Sequence, residues 1–284
     1  MWRDRSDEPA VLTEYRPSSG QEFWSEHWGH HGVEELLAIA RRSPLTTLIT
    51  RALPKSGVIL EAGCGTGQYV LLLRELGWRV AGADQVVEPL VKCRRLAPAP
   101  LAAMKLEELA IRDGALAGYV SLGAVEHDER GPDAILVEAR RTLAPGGILV
   151  LSVPYVNGVR RLASPWLERR NRAVRDHGGT FYQFVFTRGE LRAALARHGF
   201  SPLTSAPYDP ARLLRKALPA GLARSLMSTR AGSATADAVE SRGGAGAAGV
   251  GARARAMRLA RHLLYTEPAL RLLGHMLLVV ARKT

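Results

Sequence analysis

In residues 58–73, VILEAGCGTGQYVLLL, an apolar run ends on an acid, Glu61, and opens into glycines at every second position, Gly63, Gly65 and Gly67. Such glycines allow positive φ and leave no side chain between backbone and ligand. Glu61 places a carboxylate where a cationic amino group can sit. This is chemistry for gripping a nucleoside-like cofactor rather than a pyrophosphate. A dinucleotide fingerprint spaces its glycines G-x-G-x-x-G, whereas here the third comes one residue early and Gln68 stands where that pattern wants glycine. About twenty residues on, GWRVAGADQ (77–85) reads as a second strand ending in Asp84, an acid able to accept from both ribose hydroxyls. Further along, AGYVSLGAVEH (117–127) ends in Glu126 and His127, of which the histidine can exchange a proton near neutral pH.

These side chains need strand ends to carry them. The helix after the glycine turn presents Tyr69, Val70, Leu72, Leu73 and Leu76 to a sheet and stops at Gly77. Another helix starts near Pro89 and ends before Pro98, and Gly131-Pro132-Asp133 opens one that Pro145-Gly146-Gly147 closes. Thr187 and Glu190 have capping-box spacing, with Gly199 ending that helix. Residues 20–45 read as helical, with Phe23, Trp24 and Trp28 forming an apolar stripe that Leu36, Leu37 and Ile39 continue. His27, His30 and His31 in this stretch have no matched carboxylate, so packing or surface roles are expected and no metal site.

With these residues in place the chain resembles the class I S-adenosylmethionine-dependent methyltransferases, specifically the small-molecule (type 11-like) group whose first motif is E-x-G-x-G-x-G. ARRTLAPGGILVLSVPY (139–155), TRGELRAALARHGF (187–200) and GHMLLVVARK (274–283) resemble that group's later helices and strands. The resemblance implies an α/β, Rossmann-like seven-stranded sheet, mostly parallel with an antiparallel last strand and helices on both faces. It implies S-adenosyl-L-methionine as cofactor, held by Glu61, Gly63, Cys64, Gly65, Gly67, Asp84, Gln85, Leu106, Ser121 and Leu122. His127 is then either a catalytic base or an organiser of the cleft by hydrogen bonding. Related quinone O-methyltransferases carry a further Glu three residues before Glu126; here that position is Gly123, which speaks against a metal site. Tyr155, Trp166, Arg169, Arg170, Phe181 and Tyr182 are expected to shape the pocket of a small-molecule acceptor. Two positions depart from the group: the third-strand acid that meets the adenine amino group falls on Lys105, and the acid before strand four falls on Ala117. A lysine has no acceptor to offer. Either Glu107 or Glu108 substitutes, or the lysine meets a ring nitrogen, or cofactor binding is weakened.

The implied organisation is an N-terminal helical cap (1–45), a cofactor-binding core (46–208), a helical insertion (209–270) and a closing strand (271–284). In the insertion, two basic amphipathic stretches flank an Ala/Gly/Ser-rich segment with too few apolar side chains to offset its ordering entropy; lid packing or contact with an anionic membrane surface is expected of them. A chain of 284 residues with 46% hydrophobic residues can bury one sizeable core. Its two cysteines form no disulfide framework, and no apolar run reaches the length of a membrane span, so a cytoplasmic protein is expected. The net charge of +12 comes mostly from arginines scattered over the whole chain, with one denser patch, VRRLASPWLERRNRAVR (159–175), after the fifth strand, and strand four lacks the signature of nucleic-acid amino methyltransferases. Nucleic acid is therefore disfavoured as substrate.

Overall fold

The computed structural model describes residues 12–19, 23, 24, 26, 32–210, 212, 255, 259, 260 and 262–284. A strand β1 (Leu12–Arg16) precedes helices α1 (Val33–Arg42) and α2 (Pro44–Ala52). Strand and helix then alternate through β2 (Val58–Ala62), α3 (Gln68–Glu75), β3 (Arg79–Asp84), α4 (Val87–Leu96), β4 (Leu101–Ala103) and β5 (Leu116–Leu122). A 3-10 turn, Val125–His127, leads to α5 (Asp133–Thr142) and the long strand β6 (Leu143–Pro154). After α6 (Gly158–Leu162), α7 (Ser164–Asp176), β7 (Thr180–Val185), α8 (Arg188–Arg197) and β8 (Phe200–Tyr208), the chain closes with α9 (Glu267–Leu273) and β9 (Met276–Lys283).

Seven strands form one sheet in the order β4-β3-β2-β5-β6-β9-β8. Those from β4 to β6 are parallel, and β9 runs antiparallel to both of its neighbours. This is the Rossmann-like sheet expected. Parallel strands buried on both faces must be apolar at successive residues, and β2 shows why its run is unbroken. Leu60 packs on one side with Tyr119, Leu149, Leu136 and Leu195. Ile59 packs on the other with Val70, Leu73, Ile49 and Leu37. Each such side chain contributes about 1.5–3 kcal/mol by leaving water, so both helical layers are held by the same few strands. The capping box predicted at Thr187 and Glu190 is present in full.

The N-terminal region is helical at Phe23, Trp24, Glu26 and from Val33 on, as expected, but it also carries a strand that the helical reading of 1–45 did not include. Leu12–Arg16 is a strand that pairs antiparallel with β7, forming a two-stranded ribbon separate from the main sheet. Helix α1 begins only at Val33, after Gly32 in extended backbone, and ends at Ser43, whose hydroxyl caps α2. Ile39 and Leu76, expected to face the core, are half exposed: Ile39 lies on the outer side of α1, and Leu76 is the capping residue just past the end of α3. Trp28, His27, His30 and His31 lie outside the described residues, as does nearly all of 211–261. The expected boundaries at 45 and 270 fall inside α2 and α9.

Candidate functional site

An open parallel sheet binds ligands beyond the C-terminal ends of its strands, where the strand order reverses. Here that point lies between β2 and β5, the strands ending in Glu61-Ala62 and Ser121-Leu122. The glycine turn starts beside it. Gly63 has φ +75°, and a Cβ there would stand 2.4 Å from the Cβ of Ala124; at Gly67, φ +69°, it would stand 2.6 Å from the Cys93 Sγ. Both positions thus need glycine for backbone conformation and for space.

Asp84 joins the turn to the next strand. One of its carboxylate oxygens accepts from the Gly65 N–H at 2.8 Å and the other from the Val86 N–H at 2.9 Å. Burial raises its pKa, and the amide donors oppose that shift. The residue expected to hold ribose therefore also fixes the shape of the turn. With Gly63, Gln85, Val86, Leu106 and Lys105 it lines a cleft of about 590 Å³, within the usual span for small-molecule sites. The loop carrying Lys105 and Leu106 is anchored from α5. Glu138 accepts from the Leu109 N–H at 2.6 Å, and Arg141 donates to the Leu109 carbonyl at 2.9 Å.

A second cavity of about 430 Å³ lies against the first, and Gly63, Gly123, His127 and Trp24 border both. Its floor contains Glu61 and Glu126, which are 2% and 1% exposed. Each has an Oε2 with no hydrogen-bond partner among the described residues, and burial pushes each carboxyl up to about 8. Both are therefore largely protonated at neutral pH in the protein alone. A buried carboxyl of this kind gives up its proton when a cation is placed beside it.

His127 is held by the ribbon. Its Nδ1 lies 2.7 Å from the Tyr182 carbonyl, which can only accept, so the proton sits on Nδ1 and the basic lone pair on Nε2. That Nε2 is 4.0 Å from Glu126 Oε1. The imidazole packs against Trp24 and Tyr182, with ring centroids at 4.6 and 5.1 Å. Tyr182 reaches this position because the β1–β7 register shifts there: Glu14 pairs with Gln183 and Tyr15 with Phe181, leaving Tyr182 as the extra residue of a bulge. Bulges turn a side chain out of the regular alternation.

The predicted residues divide accordingly. Gly63, Asp84, Gln85 and Leu106 line the first cleft, while Glu61, Cys64, Leu122 and His127 face the second. Gly65 and Gly67 shape the turn. Ser121 is fully buried, its hydroxyl has no partner among the described residues, and it borders neither cavity. Of the six residues expected around the acceptor, only Arg170 and Tyr182 line the second cavity. Trp166 is 62% exposed on the outer face of α7, and Tyr155 and Phe181 pack against the main core. Lys105 does face the first cleft, with Glu107 beside it bound to Arg130 at 3.1 Å. Ala117 lies at the other end of β5, under Gly57, where it cannot affect the cleft. Sequence reasoning missed Glu14, Arg16, Arg160, Gln183 and Arg212, all of which line the second cavity.

Comparison with known proteins gives the following. A family model described as a methyltransferase domain matches residues 37–205. A malonyl-acyl-carrier-protein O-methyltransferase from Hamiltonella defensa is 26% identical over 137 residues, 48% of this chain and 53% of that protein. The chain thus spans about half the length of that curated relative. A solved SAM-dependent methyltransferase from Archaeoglobus fulgidus has a TM-score of 0.55 and 15% identity, covering 92% of this chain and 99% of that one. The cyclase SpnF has a TM-score of 0.56 and 14% identity, covering 97% and 99%. These likenesses to solved structures establish the fold, which is shared by proteins with different named activities.

Proposed function

We propose that this chain, which belongs to the methyltransferase-domain family, is an enzyme that passes a methyl group from S-adenosyl-L-methionine to a small-molecule acceptor. One observation carries the reading: the cleft with Asp84 and the cavity with Glu126 share a wall at Gly63, Gly123 and His127, so groups bound on either side meet there. The residues fit the cofactor. Glu61 offers a buried carboxyl whose Oε2 has no partner among the described residues, suited to an ammonium, and the turn is open only because Gly63 has no Cβ. Glu61 would hold the amino group, the Gly63–Gly67 backbone the body of the ligand, Asp84 and Gln85 the ribose, and Leu106 a face of the base.

When bound, this cofactor supplies an electrophilic methyl group. The protein then mainly has to align the acceptor for in-line displacement and, where the acceptor is a hydroxyl, take up its proton. His127 carries its basic lone pair on Nε2 at the shared wall, and Trp24 and Tyr182 pack against the imidazole and orient it. Calorimetric titration of the folded protein with S-adenosylmethionine and S-adenosylhomocysteine tests the donor, and a methyl-transfer screen tests the acceptor. Failure of both ligands to bind would overturn the reading. Lys105 in the first cleft favours a second one, a binding protein of the same fold without turnover. Binding of both ligands with no transfer to any acceptor class would select it. The expected membrane contact through 209–270 concerns residues that lie almost wholly outside those described.

A further inference from the structure

The second cavity has an imbalance of charge that the transfer reaction does not use. Arg16, Arg160, Arg170 and Arg212 line it, and Glu14 is the carboxylate set among them. Arg160 is 9% exposed on α6, whose first turn is capped by Asn157. Its guanidinium donates to the carbonyls of Tyr155 at 2.8 Å and His275 at 3.3 Å, and reaches Glu14 only at 3.5 Å. Glu14 accepts a shorter bond, 2.6 Å, from the Gln183 amide. Arg16 lies 3.7 Å from the Tyr182 ring centroid, on the neighbouring wall. Burial lowers the pKa of Arg160, the charge of Arg212 adds to that, and Glu14 opposes it. The other two acids of the cavity, Glu61 and Glu126, are largely neutral at pH 7 and supply little counter-charge. Guanidinium groups gathered along one cavity, with a carboxylate that meets Arg160 alone among the described arginines, are stabilised by an incoming oxyanion, which a planar N–H fork binds in bidentate fashion.

From this geometry we propose that the methyl acceptor carries a carboxylate or phosphate group, seated among Arg16, Arg160 and Arg212, with its apolar part against Leu122, Leu167 and Met276. This names the substrate class for the methyltransferase reading and rests on it. The anionic group anchors the acceptor and leaves open which of its atoms receives the methyl group.

The test uses octanoate, octyl phosphate and the neutral octanamide as probes, titrated calorimetrically into the full chain with and without saturating S-adenosylhomocysteine. A hydrogen-bonded ion pair in a cavity discriminates by about tenfold or more. Octanoate or octyl phosphate should bind at least about tenfold more tightly than octanamide, and which of the two binds identifies the anion. Arg160→Met and Arg212→Gln should each reduce the preference about tenfold, while Arg160→Lys retains part of it. Arg212 is exposed, so its variant serves if Arg160→Met fails to fold. Binding of both octanoate and octyl phosphate no tighter than that of octanamide, no binding of either anion, or an unchanged preference in Arg212→Gln and folded Arg160→Met would overturn the proposal. The methyl-donor reading is checked separately by S-adenosylhomocysteine binding that depends on Asp84 in the first cleft, where none of these arginines lies, and an anion preference that persists under saturating S-adenosylhomocysteine shows that the arginines hold more than the donor's own carboxylate.

Discussion

If Glu61 receives the amino group of the methyl donor, binding must expel a proton. Burial pushes this carboxyl up to about 8, the charge of Asp84 adds to the rise, and the Val70 backbone N–H opposes it. A group with that pKa is about nine-tenths protonated at pH 7. An ammonium placed against it favours the carboxylate, so about 0.9 proton leaves Glu61 on binding. The ligand's own amino group, with an ordinary pKa near 8, is itself about nine-tenths protonated and takes up about 0.1. The net release at pH 7 is therefore about 0.8 proton per ligand. Because the complex holds fewer protons than the separate partners, affinity rises with pH, by about eightfold between pH 6 and pH 7, peaks near pH 8 and falls above it as the ligand's own ammonium loses its proton. Calorimetry in buffers of different ionisation enthalpy measures the proton number directly as the slope of the observed heat. Glu61→Gln should abolish the release and flatten the pH dependence below 7. A wild-type slope of zero, or a Glu61→Gln slope equal to wild type, would refute the assignment of Glu61 to the cationic group.

Asp84→Ala should weaken S-adenosylmethionine binding about ten- to a hundredfold, the scale of a lost charge-assisted hydrogen bond, and lower the melting temperature because the Gly65 and Val86 amides lose their acceptor. Unchanged affinity in calorimetry would remove Asp84 from the site. For a hydroxyl acceptor, His127→Ala should cut turnover by about 10² to 10⁴ with cofactor affinity nearly intact. Parallel loss of cofactor binding would instead mark His127 as an organiser of the cleft. Lys105→Asp should tighten the donor by about 1–2 kcal/mol if the adenine amino group lies there, and Lys105→Ala should bind like the parent. A much weaker Lys105→Ala complex would show that the lysine is itself a ligand contact.

The geometry of the proposed cofactor half was legible because its signals are local. Strand, turn and helix follow one another within 58–73, and the acid closing the next strand lies 19 residues from the amide it holds. Backbone needs at Gly63 and Gly67 leave glycine as the residue that meets them. The acceptor half carries no such signal. LTEYR alternates too briefly to announce a strand, and its partner lies far along the chain. Arg160 looks in the sequence like one more arginine in a basic stretch; only the packing of α6 against the His275 carbonyl buries it. Trp166 misled for the converse reason. A large aromatic near a pocket invites assignment to it, yet helical phase turns this one outward while Leu167 and Arg170 turn in. Ala117 shows that a position can depart from a family pattern without touching the site, whereas Lys105 sits in the cleft itself.

The ribbon between β1 and β7 also bears on the order in which the molecule assembles. Glu14 and Gln183 are 169 residues apart, against 19 for Gly65 and Asp84. Closing the longer loop costs about 2 kcal/mol more in chain entropy, and contacts so distant form late when a chain folds. The turn proposed to grip the donor can therefore mature while the wall around the proposed acceptor cavity is still open. During synthesis the first strand must wait for nearly two-thirds of the chain before its partner exists. Until that pairing, His127 lacks the carbonyl that sets its tautomer, and on the proposed assignment the nascent protein can hold its donor before it can recognise what the donor will modify.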